Sequence, residues 1–497
     1  MTHIDLPTRA QSGQKIDPRT DLATAALVVD LDGTLIHGDS LWESLAALAR
    51  VDVLSALLAC FALLRGRAAF KAAVAKRASI SLSDVKLNEA LLAFVKAEAR
   101  KRPVILATAA NERVAGRLAA EIGVFSDVIA SDGVNNLKGA RKLAAIRTWL
   151  AENNLARFDY VGDSSADRTI WREAGRVYVV APDAKAAARI AGDISVDRRF
   201  DAPKAGPRVF LRAMRPHQWT KNTLILLPLI LSHQFFDPGK VASAAIAFAA
   251  FSLCASATYL WNDILDIRAD RAHPRKHKRP FAAGLISIPQ GLAFSFFLIA
   301  ASFALAAATL SPIVVGLLAG YIVITLTYSL YFKEKLLVDA MTLGLLYSYR
   351  IVIGGAATGI LLSDWLIAFS TFFFFGLALA KRYTEIAAKG PAAGREKIAG
   401  RGYYAADREV IGALGVASSF LSILIMALYI RAPEIVELYT RPQLLWAVCV
   451  MLMYWLSRIW VLAHRGQMPD DPIVFALKDK NSMLAGLICA GAVLLAI

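Results

Sequence analysis

The sequence predicts a chain of two parts, an α/β region with a parallel sheet followed by an all-α polytopic membrane domain. Residues 21–200 alternate short β-type runs with longer helical stretches, which is typical of βαβ units. After residue 208 the chain consists mainly of apolar segments near the length of a spanning helix. The composition agrees, because 57% of the residues are hydrophobic and only 19% are charged.

The α/β region, residues 21–200, is expected to contain five strands and a helical cap. Residues 1–20 form a polar N-terminal tail without an apolar core, so no signal peptide is expected. The stretch of about 41–100 is helical in pattern throughout, which indicates a cap inserted after the first strand. Residues 201–211 are expected to be a linker. The expected strands are Ala26–Asp30, Val104–Ala107, Asp127–Ala130, Asp159–Gly162 and Val177–Val180.

The membrane domain, residues 212–497, is expected to contain about nine transmembrane helices. The loops after the even-numbered segments carry 18 Lys and Arg residues, and those after segments 1, 3, 5 and 7 carry 3. Basic loops stay in the cytoplasm, so the N-terminal domain is expected there and the C-terminus on the periplasmic side of the inner membrane. These loops also explain the net charge of +16, and no nucleic-acid partner is expected. The segments are about 222–236, 241–261, 286–310, 312–332, 336–360, 364–380, 410–430, 442–463 and 482–497.

Two carboxylates end the first expected strand. The run VVDLDGTL places Asp30 and Asp32 two residues apart, so both point the same way off the strand end. Asp30 could attack a phosphoryl group, and Asp32 could protonate the leaving oxygen. The alternative is a strand that simply ends in an Asp-Gly turn. Further polar residues at strand ends and before a helix favour the catalytic interpretation: Thr108, Lys138, Lys142, Asp163 and Asp167.

This set of motifs resembles the haloacid dehalogenase-like phosphohydrolase superfamily, whose fold is a Rossmann-type parallel sheet with a cap. The resemblance implies that Asp30 is the nucleophile, that Asp32 is the acid/base and that Thr108 binds phosphate. It also implies a lysine that neutralises the transferring group. Lys142 fits the family's spacing better, and Lys138 is the alternative. The Mg²⁺ ligands implied by the resemblance are Asp30, the backbone of Asp32, and Asp163, with support from Asp167.

An aspartate-rich run follows the second apolar segment. On a helix, the spacing of Asp263, Asp266 and Asp270 places three carboxylates on one face. They would repel one another unless a cation bound them, and oxygen ligands at this density suit Mg²⁺ carrying a diphosphate. The alternative is a positive-inside loop with a few balancing acids. The basic residues that follow suit phosphate recognition: Arg271, Arg275, Lys276, Lys278 and Arg279.

This NDxxDxxxD run resembles the first aspartate-rich motif of the UbiA superfamily of intramembrane prenyltransferases. The resemblance covers residues 212–497 and implies a second Mg²⁺. Where the family has another aspartate-rich motif, only Asp339 is a candidate ligand, since Leu343 and Tyr347 stand where carboxylates are usual. The metal ligands implied for this half are Asn262, Asp263, Asp266, Asp270 and Asp339.

Other runs look similar to the UbiA branch that makes polyprenyl-phosphate phosphoribose, decaprenylphosphoryl-5-phosphoribose synthase. They are an RPxQWxKN-type run, a YSxxxK stretch, the run KRYTE and the loop DPIVFALKD, residues 471–479. Arg350 lies within the fifth apolar segment, where an arginine is costly and usually faces a polar cavity. The substrate contacts expected in this half are Lys221, Asn222, Asn262, Arg271, Lys276, Arg279, Tyr328, Lys333, Arg350, Lys381, Arg382 and Glu385.

These resemblances imply a bifunctional enzyme in the lipid bilayer. The membrane half would transfer 5-phosphoribose from phosphoribosyl pyrophosphate to polyprenyl phosphate. The phosphatase half would remove the 5-phosphate and give polyprenylphosphoryl ribose, a pentose donor for envelope glycans. One alternative is an aromatic prenyltransferase of the quinone or haem type that uses prenyl diphosphate, and another is a membrane scaffold with a regulatory phosphatase fold. The sequence leaves a homo-oligomer and the polyprenyl length open.

Overall fold

The chain divides into two compact units in the computed structural model. One unit comprises Met1–Phe210 and Asp263–Gly291, and the other comprises Leu211–Asn262 and Leu292–Ile497. The aspartate-rich run therefore packs with the N-terminal unit, although the sequence places it in the membrane domain. The expected tail, residues 1–20, lies outside the residues that the structure describes. Those are 25–78, 80–388, 397–398, 400–433, 438–468, 472–476 and 478–497.

The N-terminal unit is built on a six-stranded parallel sheet. Its strands are β1 Ala25–Val29, β2 Val104–Asn111, β3 Asp127–Ser131, β4 Arg157–Gly162, β5 Val177–Ala181 and β6 Arg198–Asp201. They lie in the order β3-β2-β1-β4-β5-β6, and every neighbouring pair is parallel. The five expected strands are confirmed. The sixth, with the sequence RRFD, was not expected, because a short charged edge strand carries little apolar pattern.

Helices cover both faces of this sheet. Along β1, Leu27 and Val29 belong to one apolar core and Ala26 and Val28 to another, as the two-residue period of a strand requires. The expected cap is helical, as the pattern indicates, and forms four helices. The cap and unit helices are α1 Ser40–Val51, α2 Val53–Phe61, α3 Arg67–Arg77, α4 Glu89–Glu98, α5 Glu112–Ile122, α6 Ala140–Glu152, α7 Arg168–Trp171 and α8 Ala184–Ala191.

Long apolar helices make up most of the remaining chain. Two short helices come first, α9 Pro207–Ala213 and α10 Leu227–Leu231, and another short helix, α12 Ile267–Ala272, follows the first long one. Seven helices in the described residues are long and apolar enough to cross a membrane. These are α11 Pro238–Leu265, α13 Ile288–Thr309, α14 Pro312–Leu330, α15 Val338–Thr358, α16 Asp364–Ala387, α17 Arg408–Tyr429 and α18 Trp446–His464. The last helices are α19 Pro472–Ala476 and α20 Lys480–Ala496.

The nine expected segments correspond only approximately to this arrangement. Eight of them are apolar helices, of which α20 has 17 residues. The first, 222–236, is instead the end of a 3₁₀-helix, Pro216–Leu226, and the five-residue α10. Pro228 lies in the first turn of α10, where its missing N–H is tolerated, whereas within a long helix it would remove a hydrogen bond.

The 3₁₀-helix packs directly against the backbone of α15. A Cβ on Gly354 would overlap the carbonyl oxygen of Ile225, so glycine permits this close approach. The contact brings Asn222, one residue after Lys221, to the middle of α15. An irregular segment thereby places polar side chains inside the helical unit.

Candidate active sites

Three carboxylates converge at the carboxyl end of the parallel sheet. Asp30 follows β1, and Asp163 and Asp167 follow β4. One carboxylate oxygen of each lies within 4.8 Å of the other two. Within the described ranges, no other set of three His, Cys, Asp or Glu side chains meets in this way. Neighbouring parallel strands end at one edge of a sheet, and this brings together residues that lie more than 130 positions apart.

Lys142 neutralises part of this cluster. Its Nζ lies 3.0 Å from Asp30 Oδ1 and 3.8 Å from Asp167 Oδ1. It also donates to the Tyr160 hydroxyl at 3.0 Å, and that hydroxyl donates to Asp167 at 3.0 Å. The alternative lysine, Lys138, is exposed. Tyr160 was missed in the sequence, because a tyrosine inside an apolar strand has the pattern of a core residue.

Asp32 stands apart from the carboxylate cluster. Its Oδ1 accepts the backbone N–H of Ser40 at 2.7 Å, at the start of α1. Burial and the nearby charge of Asp39 raise the pKa of Asp32 to about 7, and the Ser40 hydrogen bond opposes the rise. A carboxyl with a pKa near neutrality can both give and take a proton, which suits a general acid/base. Asp39, which caps α1, was missed in the sequence.

The electrostatics of the cluster favour a bound cation. Burial raises the pKa of Asp163 well above its usual value, and the charges of Asp30 and Asp167 raise it further. Burial also raises the pKa of Asp30, against the opposing charge of Lys142. These carboxylates are therefore costly to ionise together without a cation. Oxygen ligands in this number fit Mg²⁺, so the residues present suit the ion that the resemblance implies.

Gly33 and Thr108 complete the edge of the sheet. Gly33 has φ +75°, and a Cβ there would overlap the carboxylate of Asp163, so the turn after β1 requires glycine. Thr108 is fully buried in β2, and its Oγ1 accepts the N–H of Ala110 at 3.0 Å. From the cap, Lys71 donates to the carbonyl of Ala109 and to Asn136. Lys71 was not anticipated, since a lysine on a cap helix has no distinguishing pattern.

The aspartate-rich run does not form one continuous helix. Helix α11 ends at Leu265, and Asp266 precedes α12. Asp263 and Asp270 are both buried, and Arg279 Nη1 lies 3.1 Å from Asp263 and 2.7 Å from Asp270. Asp266 faces Arg50, at 3.6 Å from its Nε. The three carboxylates therefore do not share one helix face, because the helix ends between Asp263 and Asp270. Instead, Asp263 and Asp270 share Arg279, and Asp266 has a different partner.

Two arginines of this run bind the cap. Arg271 donates to both carboxylate oxygens of Glu43, at 2.8 and 3.1 Å, and to the carbonyl oxygen of Asp84. Arg268 pairs with the carboxylate of Asp84. The Arg271 side chain, expected to contact substrate, therefore holds the run against α1 and the end of the cap. Lys276 is exposed.

In the other unit, Asp339 is surrounded by cationic and hydroxyl donors. It is fully buried at the start of α15 and pairs with Arg382, whose side chain is also buried. The Tyr328 hydroxyl donates to Asp339 Oδ1 at 2.9 Å, and Arg401 lies 3.4 Å from the same oxygen. Glu385 pairs with both arginines. The structure brings four expected residues together, and Arg401 is the partner that the sequence did not indicate.

A second polar group lies around Arg350. Its Nε donates to Asn222 Oδ1 at 2.9 Å, and Asn222 Nδ2 donates to Ser252 at 2.9 Å. The Arg350 guanidinium lies 5.5 Å from the ring centre of Tyr347, and the Lys221 ammonium lies 5.7 Å from the same ring. Arg350 is 4% exposed, so an apolar helix carries a buried, hydrogen-bonded arginine.

The remaining expected contacts are more scattered. The side chain of Asn262 accepts a hydrogen bond from the Ser329 hydroxyl. Lys333 is buried, and Lys381 is partly buried next to Arg382. Asp479 pairs with Arg458 at 2.6 Å, whereas Asp471, at the start of the expected DPIVFALKD loop, lies outside the described residues.

The two units thus combine a phosphotransfer-type carboxylate site in an α/β fold with apolar helices that carry buried polar groups. Residues 27–172 match the haloacid dehalogenase-like hydrolase family, and residues 223–478 match the UbiA prenyltransferase family. The second match covers half of the chain. The chain therefore belongs to the UbiA prenyltransferase family, fused to a haloacid dehalogenase-like domain, and is an integral membrane protein.

Its relatives cover different shares of the chain. The uncharacterized protein y4nM of Sinorhizobium fredii is 37% identical over 95% of this chain and 90% of its own length. Nodulation protein NoeC of Azorhizobium caulinodans is 30% identical over 55% of this chain and 89% of its own length. Decaprenyl-phosphate phosphoribosyltransferase of Corynebacterium glutamicum is 34% identical over 39% of this chain and 59% of its own length. The last similarity is partial, since the match leaves about two fifths of that relative uncovered.

Proposed function

We propose that the protein is a bifunctional membrane enzyme that makes polyprenylphosphoryl ribose. The UbiA domain transfers 5-phosphoribose from phosphoribosyl pyrophosphate to a polyprenyl phosphate. The haloacid dehalogenase-like domain then hydrolyses the 5-phosphate of that product. One observation carries the proposal: a phosphomonoesterase-type site shares a chain with a domain similar to decaprenyl-phosphate phosphoribosyltransferase, whose product would supply a phosphomonoester.

The phosphatase step uses the residues at the sheet edge. Asp30 attacks phosphorus, and the bond from phosphorus to the ribose oxygen breaks. Asp32 gives its proton to that oxygen and later takes one from the water that releases phosphate from Asp30. Lys142, 3.0 Å from Asp30, is placed to hold a phosphoryl oxygen, and we assign the same role to the Thr108 hydroxyl in the second half of β2. Asp30, Asp163, Asp167 and the backbone of Asp32 would hold Mg²⁺, which when bound neutralises charge on the transferring group.

The transfer step is assigned to the helical half and the aspartate-rich run. A phosphate oxygen of the lipid attacks the anomeric carbon of the ribose, and pyrophosphate leaves. Asp263 and Asp270 offer two buried carboxylates at one point, where Arg279 now supplies the positive charge. Those two carboxylates would hold the second Mg²⁺, which stabilises the departing pyrophosphate when bound. Arg350, Arg382 and Arg401 suit recognition of phosphate groups.

The proposal includes the orientation of the protein in the membrane. The basic loops after the even-numbered segments place the N-terminal domain and the aspartate-rich run in the cytoplasm of the producing cell, with the C-terminus on the periplasmic side. Phosphoribosyl pyrophosphate is a soluble, highly charged donor. It would therefore reach a cytoplasmic site without crossing the bilayer.

A comparison of wild type with Asp30→Asn tests both activities in one experiment. Membranes with either protein receive labelled phosphoribosyl pyrophosphate and polyprenyl phosphate, and thin-layer separation resolves the lipids by charge. Wild type should yield the dephosphorylated ribolipid. Asp30→Asn should accumulate the lipid with its 5-phosphate, since loss of the nucleophile should slow hydrolysis by about a thousandfold or more. Asp52→Asn, at an exposed helix cap, is the matched control and should behave as wild type.

Two outcomes would change the assignment. Identical lipids from wild type and Asp30→Asn would mean that the phosphatase half acts on another substrate. Lipid labelling only from a prenyl diphosphate and an aromatic acid would make the UbiA half an aromatic prenyltransferase.

A further inference from the structure

The phosphatase site opens into a cavity that is larger than its catalytic residues require. The cavity is about 910 Å³, and Asp32, Gly33 and Asp163 line it. Lys185, Arg189 and Lys204 also line it. Cavities of this size commonly hold ligands as large as a drug molecule, which exceeds a ribose 5-phosphate.

The sheet topology explains why the basic residues lie at the same carboxyl end of the sheet as the catalytic residues. β4, β5 and β6 are adjacent and parallel, so their carboxyl ends lie side by side. Asp163 follows β4, Lys185 and Arg189 lie on α8 after β5, and Lys204 follows β6. Lys185 and Arg189 are four residues apart and thus on one face of α8. The charge along the edge therefore changes from acidic at β4 to basic at β5 and β6.

We propose that this basic end is a subsite for a second phosphate of the substrate, a phosphodiester on the far side of the sugar from the hydrolysed monoester. Lys204 is already paired with Asp183 at 2.9 Å, so Lys185 and Arg189 supply the net positive charge. Both are exposed to the cavity and can form charge-assisted hydrogen bonds with a phosphate. The inference deepens the proposed function and rests on it, because the predicted ribolipid carries a phosphate at each end of its ribose.

The wall of the cavity formed by Gly284–Gln290 also suits a phosphodiester that carries an alkyl group. This segment lines the cavity and belongs to the same unit as the sheet. Its Leu285 and Pro289 are apolar, and Ser287 and Gln290 carry no charge. An alkyl group on the second phosphate would find apolar contacts there. The cavity thus selects a sugar with two phosphates and an alkyl chain over a simple sugar phosphate.

The test compares two soluble substrates on the full-length protein in detergent with Mg²⁺. One is ribose 5-phosphate, and the other is a ribose 5-phosphate that carries a short alkyl phosphodiester at its anomeric carbon. Wild type should have the lower KM for the diester. The double variant Lys185→Ala/Arg189→Ala should raise that KM by about tenfold or more, as expected for lost hydrogen bonds to a charged group, with kcat unchanged. Its KM for ribose 5-phosphate should stay within about twofold.

The matched control removes the same charge elsewhere. Lys96 and Arg100 are exposed, four residues apart and just before β2 in the chain, and neither lines the cavity. Lys96→Ala/Arg100→Ala should leave both KM values unchanged. A KM that rises equally for both substrates in the cavity variant, or for neither, would overturn the subsite while the proposed function stands. Wild type that hydrolyses ribose 5-phosphate but not the diester would overturn the proposed function, and the subsite with it.

Discussion

The two units use buried aspartates in opposite ways. At the sheet edge, Asp30, Asp163 and Asp167 meet with one lysine, and burial and mutual repulsion raise the pKa of Asp163. In the helical unit, Asp339 is fully buried but is paired with Arg382 and contacted by Arg401. The first cluster has one lysine for three carboxylates and keeps an excess of negative charge, whereas the second is neutralised within the protein.

This difference shows that the partners of a carboxylate decide its chemistry. A cluster that lacks a cation is poised to bind one, because ion binding relieves the repulsion. A carboxylate already held by two arginines instead orients those arginines, which can then face an anionic substrate. Replacing an aspartate by asparagine should therefore have opposite effects on stability in the two units.

The largest effect is expected at Asp339. Asp339→Asn removes the charge that compensates the buried Arg382, and an uncompensated buried charge costs about 3 kcal/mol or more. Thermal unfolding of the purified protein in detergent should show a clear loss of stability. Asp364→Asn is the control, because Asp364 is exposed in the first turn of α16 and should contribute less than about 1 kcal/mol. Equal stability of Asp339→Asn and wild type would show that Glu385 suffices to neutralise the arginines.

Asp163→Asn should instead stabilise the Mg²⁺-free N-terminal unit, by about 1–3 kcal/mol for like charges at these separations. Hydrogen exchange of peptides from β1 and β4 reports this unit alone. Because the pKa of Asp163 is raised in the folded state, the folded site binds more protons than the unfolded chain above pH about 4. Wild-type stability without Mg²⁺ should therefore fall as the pH rises, and the fall should be smaller in the variant, where only Asp30 and Asp32 still contribute to it.

Mg²⁺ provides the complementary measurement. It should slow exchange of β1 and β4 in wild type and have little effect in Asp163→Asn. Asp193→Asn, at an exposed ion pair with Arg172, is the control and should keep the wild-type response. A variant that is protected by Mg²⁺ as strongly as wild type would remove Asp163 from the metal site.

The smallest effect is expected on the pH profile of the phosphatase. The pKa of Asp32 is about 7, so kcat/KM should fall as the pH rises past that region and the acid loses its proton. Asp39→Asn removes the charge that helps to raise this pKa and keeps a residue type that can cap α1. The descending limb should move to lower pH by about half a unit. Asp52→Asn should not move it, and an unmoved limb in Asp39→Asn would assign the limb to another group.

The phosphatase half could be predicted well because its chemistry follows strand ends. Asp30, Thr108 and Asp163 each follow or end an apolar run, and parallel strands bring such ends to one edge. The spacing also favoured Lys142 over Lys138, and the structure places Lys142 against Asp30. Tyr160, which links Lys142 to Asp167, was missed because a tyrosine inside a strand has the same pattern as a core residue.

The membrane half was harder to predict at the level of side chains. The spacing of Asp263, Asp266 and Asp270 assumed an unbroken helix, but the helix ends at Leu265 and Asp266 turns toward Arg50. Apolar composition likewise suggested a helix over 222–236, where the chain forms a 3₁₀-helix and one short α-helix. The composition of a segment indicates whether it prefers water or lipid, but it does not indicate where a helix ends.

The sequence by itself determined that one part of this chain suits water and the other suits the lipid bilayer. It also determined the parallel sheet with its cap, and the residue types of the two candidate sites. These follow from local periodicity and from motifs within a few residues. Only the tertiary structure decided that Arg401 joins Asp339, that Arg279 bridges two aspartates and that Arg271 pairs with Glu43 of the cap. The physical reason is that a charged side chain takes the partner that compensates its burial, and distant segments of the chain supply that partner.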